Sequence, residues 1–189
     1  MVAVSVGLEE GLSFEQIEKG LESVLVVPGR MEIIEGGQDF TVLVDYAPEP
    51  YSMMKLYETV ELMSKKRIIH VLGSCGGGRD VARRPVLGSL AGEKADIVII
   101  TNEDPYDDDP QQIIDQVAAG SEEKGKTLNV DLFKILDRKE AIEKALSLAN
   151  TEDLVLVTGK GSEQAMAVAG GKHVPWDDRQ IIKDWLKGQ

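Results

Sequence analysis

Three continuous apolar runs stand out along the chain, Arg67–Leu72, Asp96–Thr101 and Asp153–Val157, with a mixed one at Val130–Leu136. Uninterrupted runs of this length are the pattern of strands buried on both faces of a parallel sheet. Between them the apolar spacing becomes helical. A helix is predicted over about 51–64, with Met54, Tyr57, Val60 and Leu62 or Met63 turned inward. Lys65-Lys66 lies at its end, where positive charge is favoured. Pro85 can open a second helix through about residue 93. Asp109-Pro110 is an N-cap and first-turn pair for a third, through Ala119. Asp137-Arg138-Lys139-Glu140 reads as a capping box for a helix to Ala149. Asp177-Asp178-Arg179-Gln180 caps a last helix carrying Ile181, Ile182, Trp185 and Leu186. Two short strands, Met31–Glu35 and Thr41–Asp45, flank a turn at Gly36-Gly37, and a small hairpin is expected around Gly170-Gly171.

Strands alternating with helices at this spacing predict an α/β fold with a right-handed, mainly parallel sheet and flanking helices. In such sheets ligands sit beyond the carboxyl ends of the strands. Three loops share that edge, 73–84, 101–109 and 158–163.

The first residues follow a different pattern. Residues 1–12 are small and apolar, like the end of a helix. Ser13 and Gln16 fit a capping box, and Phe14, Ile17 and Leu21 share one face of the helix that follows. Val26-Val27-Pro28-Gly29-Arg30 breaks it, so the main domain is expected to span 28–189. Residues 1–27 are expected to expose apolar surface and to promote self-association.

Charge and composition narrow the chemistry. A net charge of −12 argues against nucleic acid and anionic membranes as partners, because both need a basic surface. A single cysteine excludes an internal disulfide and fits a reducing, cytoplasmic setting. With two histidines and that cysteine, no zinc site is expected. No secretory leader is recognisable, and no apolar run approaches the roughly 20 residues of a membrane span.

The most informative loop is Gly73-Ser74-Cys75-Gly76-Gly77-Gly78-Arg79-Asp80, followed by Arg83-Arg84-Pro85. It is neither a dinucleotide fingerprint nor a phosphate loop ending in Gly-Lys-Ser/Thr. Gly159-Lys160-Gly161 fails the second pattern as well. The glycines are either a tight turn or an anion cradle; the arginines favour the cradle, since a guanidinium fork suits carboxylate or phosphate. In the acidic loop, Asp107, Asp108 and Asp109 read as a solvated turn plus cap, whereas Glu103 and Asp104, directly after a strand, are site candidates. Glu163 is expected at the start of a helix, where it either serves the helix dipole or points into the cleft. Cys75 is a small filler rather than a nucleophile, and His70, Trp176 and Trp185 are structural.

Four landmarks in this order resemble the Mur ligases: Pro28-Gly29-Arg30-Met31-Glu32, Val44-Asp45-Tyr46-Ala47, Cys75–Asp80 with Arg83-Arg84-Pro85, and Gly159–Glu163. The likeness is closest to the branch that adds the third peptide residue of peptidoglycan. It implies that the chain is the Rossmann-like C-terminal domain of such a ligase. Residues 1–27 then look like the tail of a central ATPase domain. ATP and Mg²⁺ would be bound mostly by that domain, which the chain does not resemble. The chain itself would contain no catalytic residue and no metal ligand, and would be inactive alone.

The resemblance also assigns roles. Arg30 and Asp45 match positions that contact ATP. Arg79 matches the arginine that holds the incoming amino acid's carboxylate. Gly159 and Glu163 match positions at the amino acid's distal end, and Glu103, Asp104 and Tyr106 lie in the amino-acid-selecting loop. The partners implied are UDP-N-acetylmuramyl-dipeptide, an amino acid, and an ATPase domain carried by a separate subunit. Three departures stand out. Pro48 occupies the place of a histidine, Gly78 that of an acidic residue, and Tyr106 that of the arginine used for diaminopimelate. Tyrosine cannot replace a charge-assisted pair with a second carboxylate, so lysine or ornithine is the expected amino acid. The alternatives are a non-catalytic amino-acid or nucleotide binding module that kept the fold, and an unrelated nucleotide-binding Rossmann domain, which the missing fingerprints disfavour.

Overall fold

The structure is a computed structural model and describes residues 2–188. A six-stranded sheet runs through it, built from β1 (Glu32–Ile33), β2 (Thr41–Asp45), β3 (Ile68–Leu72), β4 (Ile97–Thr101), β5 (Leu132–Ile135) and β6 (Leu154–Thr158) in the order β1-β2-β6-β3-β4-β5. Only β1 is antiparallel; the other five strands are parallel. The helices are α1 (Val2–Glu9), α2 (Phe14–Glu22), α3 (Pro50–Glu61), α4 (Arg83–Lys94), α5 (Pro110–Glu123), α6 (Arg138–Leu148) and α7 (Asp178–Lys187). A separate hairpin, β7 (Ala165–Val168) and β8 (Lys172–Pro175), turns at Gly170-Gly171 as expected.

The apolar runs are continuous because both sheet faces are covered. Along β6, Leu154 and Leu156 pack with Met53, Tyr57 and Leu87 from α3 and α4, while Val155 and Val157 join Ile142, Leu146 and Ile182 from α6 and α7. Helices α3, α4 and α5 therefore lie on one face, and α6 and α7 on the other. The caps form where the sequence places them: Ser13 with Gln16, Asp109, Asp137 and Asp177 each accept from backbone N–H groups of their helix.

Four local expectations change. In α3 the buried residues are Met53, Leu56, Tyr57 and Val60; Met54 is exposed, and beyond the helix end Met63 rather than Leu62 packs on the core. The first strand shrinks to two residues at a sheet edge, where half its backbone has no partner strand. α4 begins at Arg83, placing Pro85 inside its first turn, where a missing N–H costs nothing. No helix follows Gly161; Glu163 sits in a turn whose N–H bonds back to the Lys160 carbonyl at 2.9 Å, and the chain then enters β7.

Helices α4 and α5 approach through glycines. A Cβ on Gly88 would lie 1.8 Å from the Val117 carbonyl oxygen, and one on Gly120 would lie 1.9 Å from that of Pro85. Both obstacles are backbone, so neither can swing aside. Gly88→Ala should destabilise the protein by about 1–3 kcal/mol, the usual cost of overpacking. Urea unfolding measures it, and an unchanged midpoint would refute this account of the contact.

Candidate functional site

The strand order brings the carboxyl ends of β2, β6, β3 and β4 side by side, and their loops interlock. A Cβ on Gly76 would lie 2.2 Å from the Pro105 carbonyl oxygen, and one on Gly77 would lie 2.6 Å from the Tyr106 ring. The glycine cluster is thus first a packing surface for the acidic loop. Gly77 and Gly78 also take positive φ of 65° and 76°, which L side chains resist. On the other flank, Gly29 (φ 64°) packs against the Gly161–Ser162 backbone. The Gly29 N–H donates to Glu32 Oε2 at 2.7 Å. The hairpin clamps the acidic loop from outside: Tyr106 N–H donates to the Ala167 carbonyl at 3.2 Å, Ala167 N–H to Asp104 Oδ1 at 2.7 Å, and Gly170 N–H to Asp107 Oδ1 at 2.8 Å.

Glu103 leaves β4 and reaches across the end of β3 to β6. Gly73 and Gly159 clear its path; a Cβ on Gly159 would stand 2.1 Å from Glu103 Oε2. The carboxylate is buried, and its side-chain donor is the Cys75 thiol at 3.1 Å. Burial raises its pKa; nearby Arg138 pulls it down less strongly. Cys75 in turn is pushed up to about 12, by burial first and then by Glu103. The thiol is thus a hydrogen-bond donor to Glu103, more than the small filler expected.

Asp104 and Glu163 are already paired. Buried Lys160 donates to both Asp104 oxygens at 2.8 Å and lies 2.7 Å from Glu163 Oε2. Burial pulls the lysine pKa down, but these bonds outweigh it and hold the ammonium above its ordinary value. Asp104, Tyr106, Lys160, Glu163 and His173 line a cavity of about 310 Å³ beneath the hairpin.

The cations divide into free and committed. Arg79 is exposed, and its guanidinium has no partner among the described residues. Arg30 is exposed, with its guanidinium carbon 4.3 Å from the centre of the Tyr46 ring. Tyr46 is raised in pKa, mainly by burial and then by Glu163. Asp45 is not free: its oxygens accept the Met31 N–H at 2.8 Å and the Ala47 N–H at 3.0 Å, shaping the loop after β2. Arg84 is buried and bonded to Gln116, the Cys75 carbonyl and Asp108, while its Nε is buried without a hydrogen-bond partner.

Two residues escaped the sequence patterns. Lys160 carried a signal, an isolated lysine between glycines three residues before an acid. Arg138 carried none beyond a place next to an N-cap. It is fully buried, pairs with Asp178 at 2.9 and 2.7 Å, and donates to the carbonyls of Thr158 at 2.7 Å and Asn102 at 3.3 Å. His70 proves structural: Nδ1 lies 2.6 Å from the Tyr57 hydroxyl and Nε2 lies 2.9 Å from Thr158 Oγ1, and burial lowers its pKa to about 3.

The sequence profile of the family described as "Mur ligase, glutamate ligase domain" matches residues 29–161. The chain belongs to the Mur ligase family. It is 38% identical over 189 residues to the UDP-N-acetylmuramoyl-L-alanyl-D-glutamate–2,6-diaminopimelate ligase of Syntrophomonas wolfei, covering 100% of this chain and 38% of that protein. It is 43% identical over 178 residues to the UDP-N-acetylmuramyl-tripeptide synthetase of Roseiflexus, covering 94% and 35%. A solved UDP-N-acetylmuramoyl-L-alanyl-D-glutamate–2,6-diaminopimelate ligase superposes with a TM-score of 0.74 at 26% identity, over 97% of this chain and 36% of that one. The chain therefore spans a little over a third of the length of these relatives, and it corresponds to the Mur ligase C-terminal domain. No helix among the described residues is long and apolar enough to cross a membrane.

Proposed function

We propose that this Mur ligase domain binds the amino acid added to UDP-N-acetylmuramyl-dipeptide and presents its amine to an acyl-phosphate held on an ATPase domain. The attacking nitrogen forms the C–N bond, the acyl C–O bond breaks, phosphate leaves, and the amine sheds a proton. This domain contributes positioning, which converts a bimolecular step into an effectively unimolecular one. The observation that carries the reading is a free guanidinium and a buried carboxylate with no cation bonded to it, both in loops at the same edge of the sheet. Arg79 is poised for the α-carboxylate, and Glu103 for an ammonium at the other end. Tyr106, Asp104 and Glu163 line the cavity beside it, the two acids sharing the single ammonium of Lys160, and Gly159 makes room for Glu103.

The residues present fit ATP only in part. Arg30 is exposed and its guanidinium suits a phosphate, while Asp45 acts through the loop it folds. ATP would supply the activating phosphoryl group. ATP and Mg²⁺ would be bound mostly by the ATPase domain. Residues 1–27 as the tail of an ATPase domain, and self-association through them, belong to the same proposal. The exposed Val2, Phe14, Val24 and Leu25 support a covered face there.

Lysine or ornithine is the proposed amino acid, because Tyr106 offers a second carboxylate no cation. Isothermal titration of the chain should show lysine or ornithine binding more tightly than diaminopimelate, and Arg79→Ala should weaken it at least tenfold. Tighter diaminopimelate binding would overturn the choice of substrate. An unaffected Arg79→Ala variant would overturn the carboxylate contact.

A further inference from the structure

Arg83, the first residue of α4, is used by neither the proposed amino-acid contacts nor the fold in full. Its side chain is 6% exposed. Nε donates to the Oγ of buried Ser74 at 3.3 Å, and Nη1 donates to Glu49 Oε1. Nη2 is buried without a hydrogen-bond partner. A guanidinium is a planar fork that grips one oxyanion through two parallel N–H bonds. Here one prong is filled and the other is orphaned. The carboxylate on the filled prong comes from a side chain that is 55% exposed, so it returns to water with little desolvation cost. Its departure leaves one half of the α3 capping box in place, since the Glu49 N–H donates separately to Ser52 Oγ at 3.2 Å.

We infer that Arg83 is an oxyanion-binding site with Glu49 as its resident placeholder. A carboxylate or phosphate that engages Nη1 and Nη2 together displaces Glu49 and satisfies the orphaned donor. Free Arg79 adds positive charge on the same loop, whereas neighbouring Arg84 is neutralised by Asp108. Opposing charge comes from Glu103, which reaches Arg83 through Cys75, the thiol lying against both. The site would therefore hold a compact oxyanion beside the amino-acid cleft. The inference rests on these side chains and not on the ligase reading.

The test uses the full chain and two probes, inorganic phosphate and acetate, titrated at constant ionic strength against chloride. Backbone amide shifts of Ser74, Ala82 and Arg83 report binding. Saturable shifts are expected with at least one probe and not with chloride. Glu49→Gln should tighten binding about tenfold by removing the competing charge, and Arg83→Lys should abolish the saturable component. Preference for phosphate marks a phosphoryl ligand, and preference for acetate marks a carboxylate; either supports the site. Equal affinities in the native chain and Glu49→Gln would overturn it. So would shifts in Glu49→Gln that chloride reproduces, or an Arg83→Lys chain that binds as before. Amino-acid titration of the same samples separates failure here from failure of the ligase reading.

Discussion

Arg138→Met should lower the stability of the protein by about 3–5 kcal/mol, the usual cost of leaving one charge of a buried pair unmatched. For a domain of this size that is roughly 6–20 °C in melting temperature. Asp178 would remain buried, with only Trp176 Nε1 donating to it at 2.8 Å. The carbonyls of Asn102 and Thr158 would lose a shared donor. Those two residues immediately precede Glu103 and Gly159, so Arg138 is a positioning residue for the cleft as well as a clasp for α7. The double variant Arg138→Met/Asp178→Leu should recover much of the loss, because no unpaired charge stays inside. Thermal unfolding of the two variants decides this. A single variant that melts with the native protein would refute the clasp.

Glu103→Gln should have two opposite effects, a loss of ligand binding and a gain in stability. In the folded protein burial raises the Glu103 pKa above the ordinary carboxylate value near 4.3. A raised acid binds more protons folded than unfolded, so its contribution to stability falls as pH rises from the unfolded value through the folded one. Glutamine removes that penalty and still offers an oxygen to the Cys75 thiol. The variant should be more stable at neutral pH by about 1 kcal/mol. The gain should vanish on acidification below the unfolded pKa. Affinity for lysine should fall at least tenfold in the same sample. A destabilised variant would mean that the carboxylate is held by the fold rather than reserved for a ligand.

Together these two residues separate what the cleft keeps from what it offers. Arg138, Arg84 and Lys160 are consumed by internal partners. Arg79 and Glu103 are left with an unused charge, one exposed and one buried. A strained or destabilising group is tolerated where a ligand later relieves it, and Glu103 is the group that fits that description here.

Much of the fold was legible locally. The runs at 67–72, 96–101 and 153–157 could be read as strands covered on both faces because their residues offer no polar side to water. Caps at Ser13, Asp109, Asp137 and Asp177 act within three residues, so nothing distant can override them. The inward face of α3 was read correctly at Tyr57 and Val60 but not in its first turn, where two adjacent methionines left the choice between Met53 and Met54 to the packing. Likewise, Glu163 looked like a helix start because a Gly-Lys-Gly turn before an acid has that local form. The hairpin and Lys160 claimed it instead.

By itself, then, the sequence determined the succession of strands and helices along the chain, and the edge at which the loops collect. These are short-range consequences of side-chain period, capping and glycine placement. Only the tertiary structure decided which charges are free. Lys160 meets Asp104 across 56 residues and Arg138 meets Asp178 across 40, pairings set by the β6-β3-β4 order and by the return of α7. Ion pairing depends on distance in space and on burial, and neither is written in the spacing of residues along the chain.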